Sequence, residues 1–531
     1  MGVTLWLSLA SIPLLLYLYV RSNDAKIARL TPDAALFAGK RWTFEAVNQT
    51  AATLTSPSSS LFSPEELSPK TGRRYIVVGG AGFVGGWIVL HLIARGEDPR
   101  RIRILDIRRP IRQDLLEGSA AQVDFCQVDV SDAAAVEEAF RKPWAHIHDG
   151  PEPELTVFHT AAIIRFYERD ESLQHFSDKV NLFGTQNVVA AARKVGTSTL
   201  VYTSSGSVSV RSNRFFRWPW EGAPEFFTQP ISDDDAQVPK RHEHFFSNYA
   251  HSKWKAEKFV RAADRSPSAG GINGIMRTGC IRPGNGIYGP GGDLMLGPYL
   301  HHKSNPSWIF DILQSFIYVE NCSVAHLAYE ERLIELERGN PGSNPDIGGQ
   351  AFCIADAGTP VTYREVYSAI TELSKGAVTF IPLSATAMLT FATLVEAYYL
   401  ARHALLRAPT PLATLGRLLP ALNGDIVFLQ PSMWSLTQVH LIFDDSRARA
   451  SPAEGGLGYD GHITTLQGIC KGIAEHQKNG GNSQQRVIAG HPTSDLGFDL
   501  VKAEKGVEEV IEKLGGGHKV DAKPKVAELQ Y

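Results

Sequence analysis

The stretch SNYAHSKWKAEK, residues 247–258, places a tyrosine four positions ahead of a lysine in a run of helix-forming residues. On a helix, residues i and i+4 share a face and their side chains meet. A phenol beside an ammonium gives up its proton more readily, because a positive neighbour favours the charged form. Tyr249 and Lys253 therefore have the types and spacing of a base and its activator. The same spacing also describes an ordinary surface pair, so the rest of the chain has to decide.

A second signal is RRYIVVGGAGFVGGWIVLHLIARG, residues 73–96, where a β-branched run enters a cluster of glycines and an apolar helix follows. Glycine lets a pyrophosphate approach the chain closely, and a helix start offers free N–H groups at the positive end of its dipole. Gly80, Gly82 and Gly85 match GxGxxG, while Gly79, Gly82 and Gly85 match GxxGxxG. Either template reads as a dinucleotide-binding turn, with Phe83 and Val84 opening the helix. Asp106 closes the next strand-like run, 21 residues after Gly85. An acid there accepts hydrogen bonds from the adenosine ribose and repels a 2′-phosphate, which selects NAD over NADP. Arg108 and Arg109 follow closely and are of the type that grips such a phosphate. Asp129 and Val130 end a third run, where an adenine or only a surface turn would lie.

These groups need a scaffold. RIRILDI, VDFCQVDV, LTVFHTAA, STLVYTSS and NGIMRTGCIRP are strand-like runs that alternate with helical stretches. That alternation predicts an α/β fold, a doubly wound parallel sheet of Rossmann type covered on both faces. The expected division is an anchor at residues 1–22, a linker at 23–70, a dinucleotide-binding domain with interleaved substrate-lobe segments at 71–375, an apolar lobe at 376–478 and a polar tail at 479–531. The anchor rests on VTLWLSLASIPLLLYLYV, residues 3–20, which as a helix covers about 27 Å, close to a hydrocarbon core. Arg21, Lys26 and Arg29 follow it, which places the rest of the chain on the cytosolic side. Residues 384–419 read either as a core helix of a substrate lobe or as a segment lying on a membrane. Residues 211–240, with RSNRFFRWPWEGAPEFF, read either as a lid or as a packed insertion.

The chain has 531 residues, a net charge of −3 and 43% hydrophobic residues, so nothing points to nucleic acid as a partner. The five cysteines are scattered without metal-ligand spacing and read as reduced thiols. No metal is expected.

The ordered set of glycine turn, VFHTAA, VNLFGTQNVVAAA, LVYTSSGSV, YAHSK, IRPGNGIYGPGG and FIYVENCSVAHLAYE resembles the extended short-chain dehydrogenase/reductases. Within them the chain is similar to the 3β-hydroxysteroid dehydrogenase family, and most of all to the sterol-4α-carboxylate 3-dehydrogenases. The likeness runs from about residue 74 to about 375 and resumes at 442–469. It implies that Tyr249 is the base for a substrate hydroxyl and that Lys253 activates it and holds the nicotinamide ribose. It implies that Ser205 bonds the reacting oxygen, with Ser204 and Ser207 as alternatives. Asn181 would support the site from beneath, and Pro283 would lie beside the nicotinamide. His159 reads as a satisfied, partly buried histidine. The resemblance also implies a sterol or triterpenoid substrate, a location at the endoplasmic reticulum membrane facing the cytosol, and a homodimer or a sterol-demethylation complex. A steroid dehydrogenase that also shifts a double bond, a nucleotide-sugar epimerase or dehydratase of the same fold, and a non-catalytic nicotinamide-binding protein are the rival readings. One departure is Val78, where the family often has a threonine before its first glycine.

Overall fold

The computed structural model describes residues 2–54, 60–144, 152–269, 274–338 and 344–478, with the side chains of residues 2–11 outside that description. The polar tail at 479–531 also lies outside it. Helix α1 runs over Gly2–Ile27 with Pro13 inside it. Much of the expected membrane span therefore falls on side chains outside the described residues. Among the described residues no helix is long and apolar enough to cross a membrane, so the expectation of a spanning anchor is not supported.

The linker reading of residues 23–70 is corrected. Helix α2 (Phe44–Thr53) starts at Thr43, whose hydroxyl accepts from Ala46 N at 3.1 Å. It packs on the helices Tyr363–Leu373 and Thr465–Lys478. Ile27, Val47, Phe62 and Leu67 are buried in the main core. Backbone groups of the strap find side chains at distant helix starts: Trp42 N donates to Glu365 at 3.2 Å, and Leu61 N to Glu320 at 3.1 Å. Polar composition suggested a tether, but a few well-spaced apolar anchors and satisfied backbone groups suffice to dock the segment.

The predicted sheet is present. Strands β1 (Arg74–Val78), β2 (Ile102–Asp106), β3 (Asp124–Gln127), β4 (Leu155–His159), β5 (Thr197–Thr203), β6 (Ile275–Pro283) and β7 (Ala351–Ile354) are all parallel, in the order 7-6-5-4-1-2-3. β5 is buried along its whole length and β1 at four of its five residues. Such near-continuous burial belongs to strands covered on both faces. Helices α3 (Phe83–Ala94) and α6 (Val319–Glu337) pack together on one face. On the other, Gln174–Asp178, Lys179–Gly184 and Thr185–Lys194 run on as one helix, α4, beside α5 (Asn248–Ala262). The chain order reverses between β1 and β4, and ligands bind outside the carboxyl ends of strands at that point.

A second, smaller sheet joins Thr228–Ile231, Leu313–Gln314, Val361–Thr362 and His440–Phe443. Its strands come from both sides of residue 376, so the lobe is built from segments spread through the chain. Helix α7 (Ala385–Arg407) buries Leu389, Ala392 and Val395 and leaves Leu394 exposed. Arg169 clamps it through Glu396 with two bonds of 2.7 Å.

Candidate active site

The glycine turn closes β1 onto α3. Gly79 sits at φ +85°, and a Cβ there would come within 2.6 Å of Ala161 N and Thr160 Oγ1. A Cβ on Gly85 would lie 2.3 Å from Gly79 O, so strand and helix meet at a distance only glycine permits. Gly80 instead packs under Ile104, where a Cβ would meet Cγ1 at 2.9 Å. The GxxGxxG template with Gly79, Gly82 and Gly85 is the one that faces the crevice. α3 begins after Gly82 with no side-chain cap, which leaves the first amides of Phe83 and Val84 as donors for an anion.

This turn forms one wall of a cavity of about 890 Å³. Asp106 lines it at the end of β2, accepting from Ala81 N at 3.2 Å and from Arg108 N at 3.3 Å. Burial pushes its carboxyl above the usual range, against the pull of these amides. Asp129 and Val130 line the same wall, and Asn187 Nδ2 fixes Val130 O at 2.9 Å. Arg108 is in the lining, whereas Arg109 lies over the ring of Phe125. The residues present fit a dinucleotide: a close-packed glycine turn, uncapped amides and an acid at the ribose position.

Tyr249 and Lys253 line the facing wall together with Ser205, Ser207 and Pro283. They are not a surface pair: Lys253 is buried, and Tyr249 is partly so. The α5 helix is capped by Ser247, whose hydroxyl accepts from Ala250 N at 3.3 Å, which starts the helix two residues before the phenol. Lys253 Nζ donates to Thr203 O at 2.6 Å and sits 4.2 Å from the centroid of the Tyr202 ring. Burial brings its pKa down to about 7, opposed by the negative field of Cys280 and Glu257. Desolvation disfavours an ammonium, so this lysine is poised to exchange its proton near neutrality.

The two serines in YTSSGSV part company. Ser204 Oγ donates to Glu257 Oε2 at 2.5 Å. Glu257 is itself held by Arg282 through bonds of 2.9 and 2.6 Å. Ser205 Oγ shares a 2.7 Å bond with Ser207 Oγ and remains in the cavity wall. Ser204, Ser205 and Ser207 all line the cavity, and of the three only Ser204 is bonded to Glu257.

Asn181 lies behind the site in the π turn of α4, a widened turn found often at functional positions. It is buried, and its amide takes Ile163 N at 2.9 Å and donates to Ile163 O at 3.0 Å and to Ser252 Oγ at 2.9 Å. Ser252 in turn donates to Tyr249 O at 2.8 Å. Asn181 thus positions the tyrosine turn rather than touching a ligand. His159 is fully buried, bonded to Thr185 at 2.9 Å and held neutral by burial, with a pKa down to about 3. It is outside the cavity lining.

Part of the cavity lining is apolar. Phe166, Tyr299, Phe316, Tyr363, Met433 and Leu436 form it, supplied by five separate stretches of chain. No residue of 211–240 is among the described lining of this cavity. That stretch packs instead beside α1: Asn23 Nδ2 donates to Phe215 O at 3.1 Å and Lys26 Nζ to Trp218 O at 2.8 Å.

The sequence model of the 3-beta hydroxysteroid dehydrogenase/isomerase family matches residues 76–376, more than half of the chain. The chain belongs to this family. The match covers the glycine turn, Asn181, Ser205, Tyr249 and Lys253 on one continuous stretch. Among relatives of this family member, the 3beta-hydroxysteroid-dehydrogenase/decarboxylase isoform 2 of Arabidopsis thaliana is 26% identical over 454 residues, 80% of this chain and 67% of that protein. The 3 beta-hydroxysteroid dehydrogenase type 7 of Mus musculus is 27% identical over 294 residues, 55% of this chain and 70% of that protein. Of solved structures, the UDP-glucose 4-epimerase of Thermotoga maritima superposes with a TM-score of 0.49 at 15% identity, covering 76% of this chain and 99% of that one.

Sequence reasoning missed three contributors to this family member's site. Glu257 lies at i+8 from Tyr249, on the same helix stripe, and that spacing was a usable signal. Thr203 acts through its backbone oxygen, which no residue type reveals. The apolar lining is assembled across more than 250 residues and has no local pattern.

Proposed function

We propose that this protein oxidises the 3β-hydroxyl of a steroid, sterol or triterpenoid, and that its substrate is a 4α-carboxysterol. The observation that carries this is a single cavity lined by the dinucleotide turn, by Tyr249, Lys253 and Ser205, and by apolar side chains such as Phe166, Phe316, Met433 and Leu436. The cofactor is NAD, which when bound accepts a hydride from the carbinol carbon. Ser205 bonds the substrate oxygen, Tyr249 takes the hydroxyl proton, and Lys253 lowers the cost of the phenolate that results. Hydride leaves the carbon that bears this oxygen, so the product is the 3-ketone. A 4-carboxylate beside that ketone belongs to a β-keto acid, which loses carbon dioxide through an enol without a further base. The similarity to a 3beta-hydroxysteroid-dehydrogenase/decarboxylase over 80% of the chain supports this finer reading.

The test is a panel of 3β-hydroxysteroids with and without a 4-carboxyl group, incubated with NAD and followed by NADH absorbance and product mass. We expect NADH with both and loss of 44 mass units of carbon dioxide, on the order of one per turnover, only with the acid. NADH from nucleotide sugars and none from any steroid defeats the proposal.

We also place the protein at the cytosolic face of the endoplasmic reticulum membrane. Ile12, Leu14, Leu15, Leu16 and Leu18 of α1 are exposed, as are Trp218 and Trp220, whose rings stack 5.4 Å apart. Leu394, Leu412, Leu415 and Leu418 add exposed apolar surface on and after α7, which packs against α1. An apolar helix edged by tryptophan and lysine suits the bilayer interface. A Trp218→Ser/Trp220→Ser variant should fold normally and bind phospholipid vesicles less than the parent in a flotation assay. Equal flotation counts against this surface.

A further inference from the structure

Arg112 enters neither the motif nor the catalytic group, yet it lines the cavity with a donor left unpartnered among the described residues. It follows β2 by six residues, lines the central cavity, and is 3% exposed. Its Nε and Nη2 donate to the two oxygens of Asp114 at 3.0 and 2.6 Å. Its Nη1 is buried and has no hydrogen-bond partner among the described residues. The guanidinium carbon lies 5.1 Å from the centroid of the Trp87 ring, which covers one flat face.

The Nη1 edge lies between two glycines. A Cβ on Gly86, in the first turn of α3, would sit 3.0 Å from Nη1, and a Cβ on Gly291 would sit 2.6 Å from it. Gly291 has φ +103°, so any side chain there would be both strained and in collision. Trp87 Nε1 donates to Pro290 O at 2.8 Å and holds this loop against α3. A buried charged donor without a partner costs free energy unless something completes it. The uncapped helix start that favours a pyrophosphate is one turn away, on the same cavity wall.

We infer that Arg112 is a pyrophosphate-binding residue of the dinucleotide site, completing with its Nη1 edge the anion cradle that the amides of α3 begin. The inference rests on the dinucleotide reading of the cavity under the proposed function. The first amides of α3 and the Arg112 guanidinium, which packs against Gly291, would hold the phosphates together. Its pairing with Asp114 orients the guanidinium rather than cancelling its role, because the fork uses Nε and Nη2 and leaves Nη1 outward of the pair.

The test compares Arg112→Gln and Arg112→Lys with the parent, full-length, by calorimetric titration with NAD, ADP-ribose and adenosine. We expect Arg112→Gln to weaken NAD and ADP-ribose by about 10- to 100-fold, the range for loss of a charge-assisted hydrogen bond, and adenosine by less than about twofold. Arg112→Lys, which keeps charge and loses the fork, should fall between. Equal weakening of all three ligands, or of none, overturns the inference: the first makes Arg112 a support for the loop, the second makes it irrelevant to the ligand. Should Arg112→Gln not fold, the same comparison on Arg112→Lys decides. A parent that binds neither NAD nor ADP-ribose defeats the dinucleotide reading itself, which separates that failure from the failure of Arg112.

Discussion

Tyr249→Phe should lower kcat/KM for steroid oxidation by about 10³-fold while leaving NAD affinity within about threefold, since a positioned acid or base contributes roughly 10² to 10⁴. The substitution removes one oxygen from a half-buried ring that packs on the core, so the helix and its cap at Ser247 stay as they are. The backbone of that turn is fixed from behind by Ser252 and Asn181 and does not depend on the phenol. Lys253 keeps its bond to Thr203 O, so the amine stays beside the site. What disappears is the group that accepts the substrate proton. Stopped-flow measurement of NADH formation, paired with titration of NAD, separates the two effects. Turnover within tenfold of the parent would falsify the assignment of the base.

Much of this site was legible because its parts are local. A strand, a glycine turn and a helix occupy one stretch of about 20 residues, and each glycine sits where a Cβ would strike backbone or a neighbouring side chain. Tyr249 and Lys253 share one helix face by spacing alone. The choice between Ser204 and Ser205 was not local. What distinguishes them is Glu257, 53 residues from Ser204, which accepts from that hydroxyl, whereas Ser205 bonds Ser207. The choice between the two glycine templates turned on Ile104 of the adjacent strand, which occupies the space above Gly80.

The strap was misread, and the aromatic insertion left open, for a related reason. Composition reports what a segment would do alone in water, and neither segment is alone. Val47 and Phe62 enter the main core, and Asn23 joins Phe215 to Thr386 across 363 residues of sequence. Arg112 stood among three arginines within five positions of one another, and only burial and an empty donor distinguish it from Arg108 and Arg109. The π turn at Asn181 widens one helical turn without a compositional mark, so nothing in VNLFGT announces it.

Lys253→Met should abolish steroid oxidation and, at neutral pH, make the unliganded protein more stable. The ammonium is wholly buried, and its pKa of about 7 lies far below the ordinary lysine value of 10.5. The unfolded chain therefore binds more protons than the native one between those two values, and stability rises with pH across that window. Below about pH 7 the full cost of burying the charge is present; it fades as pH rises toward 10.5. At pH 7 this cost is on the order of 4 kcal/mol. Methionine removes it but strips Thr203 O of its donor, which returns about 1–3 kcal/mol of the gain. Denaturant unfolding of parent and variant across pH 6–10 is the measurement: the variant's advantage should be largest at the acidic end and shrink steadily. Saturating NAD should stabilise the parent more than the variant, because only the parent has an ammonium to offer the ribose hydroxyls. A variant less stable than the parent at pH 6, with the gap independent of pH, would show that Lys253 is a structural lysine whose charge the fold already satisfies.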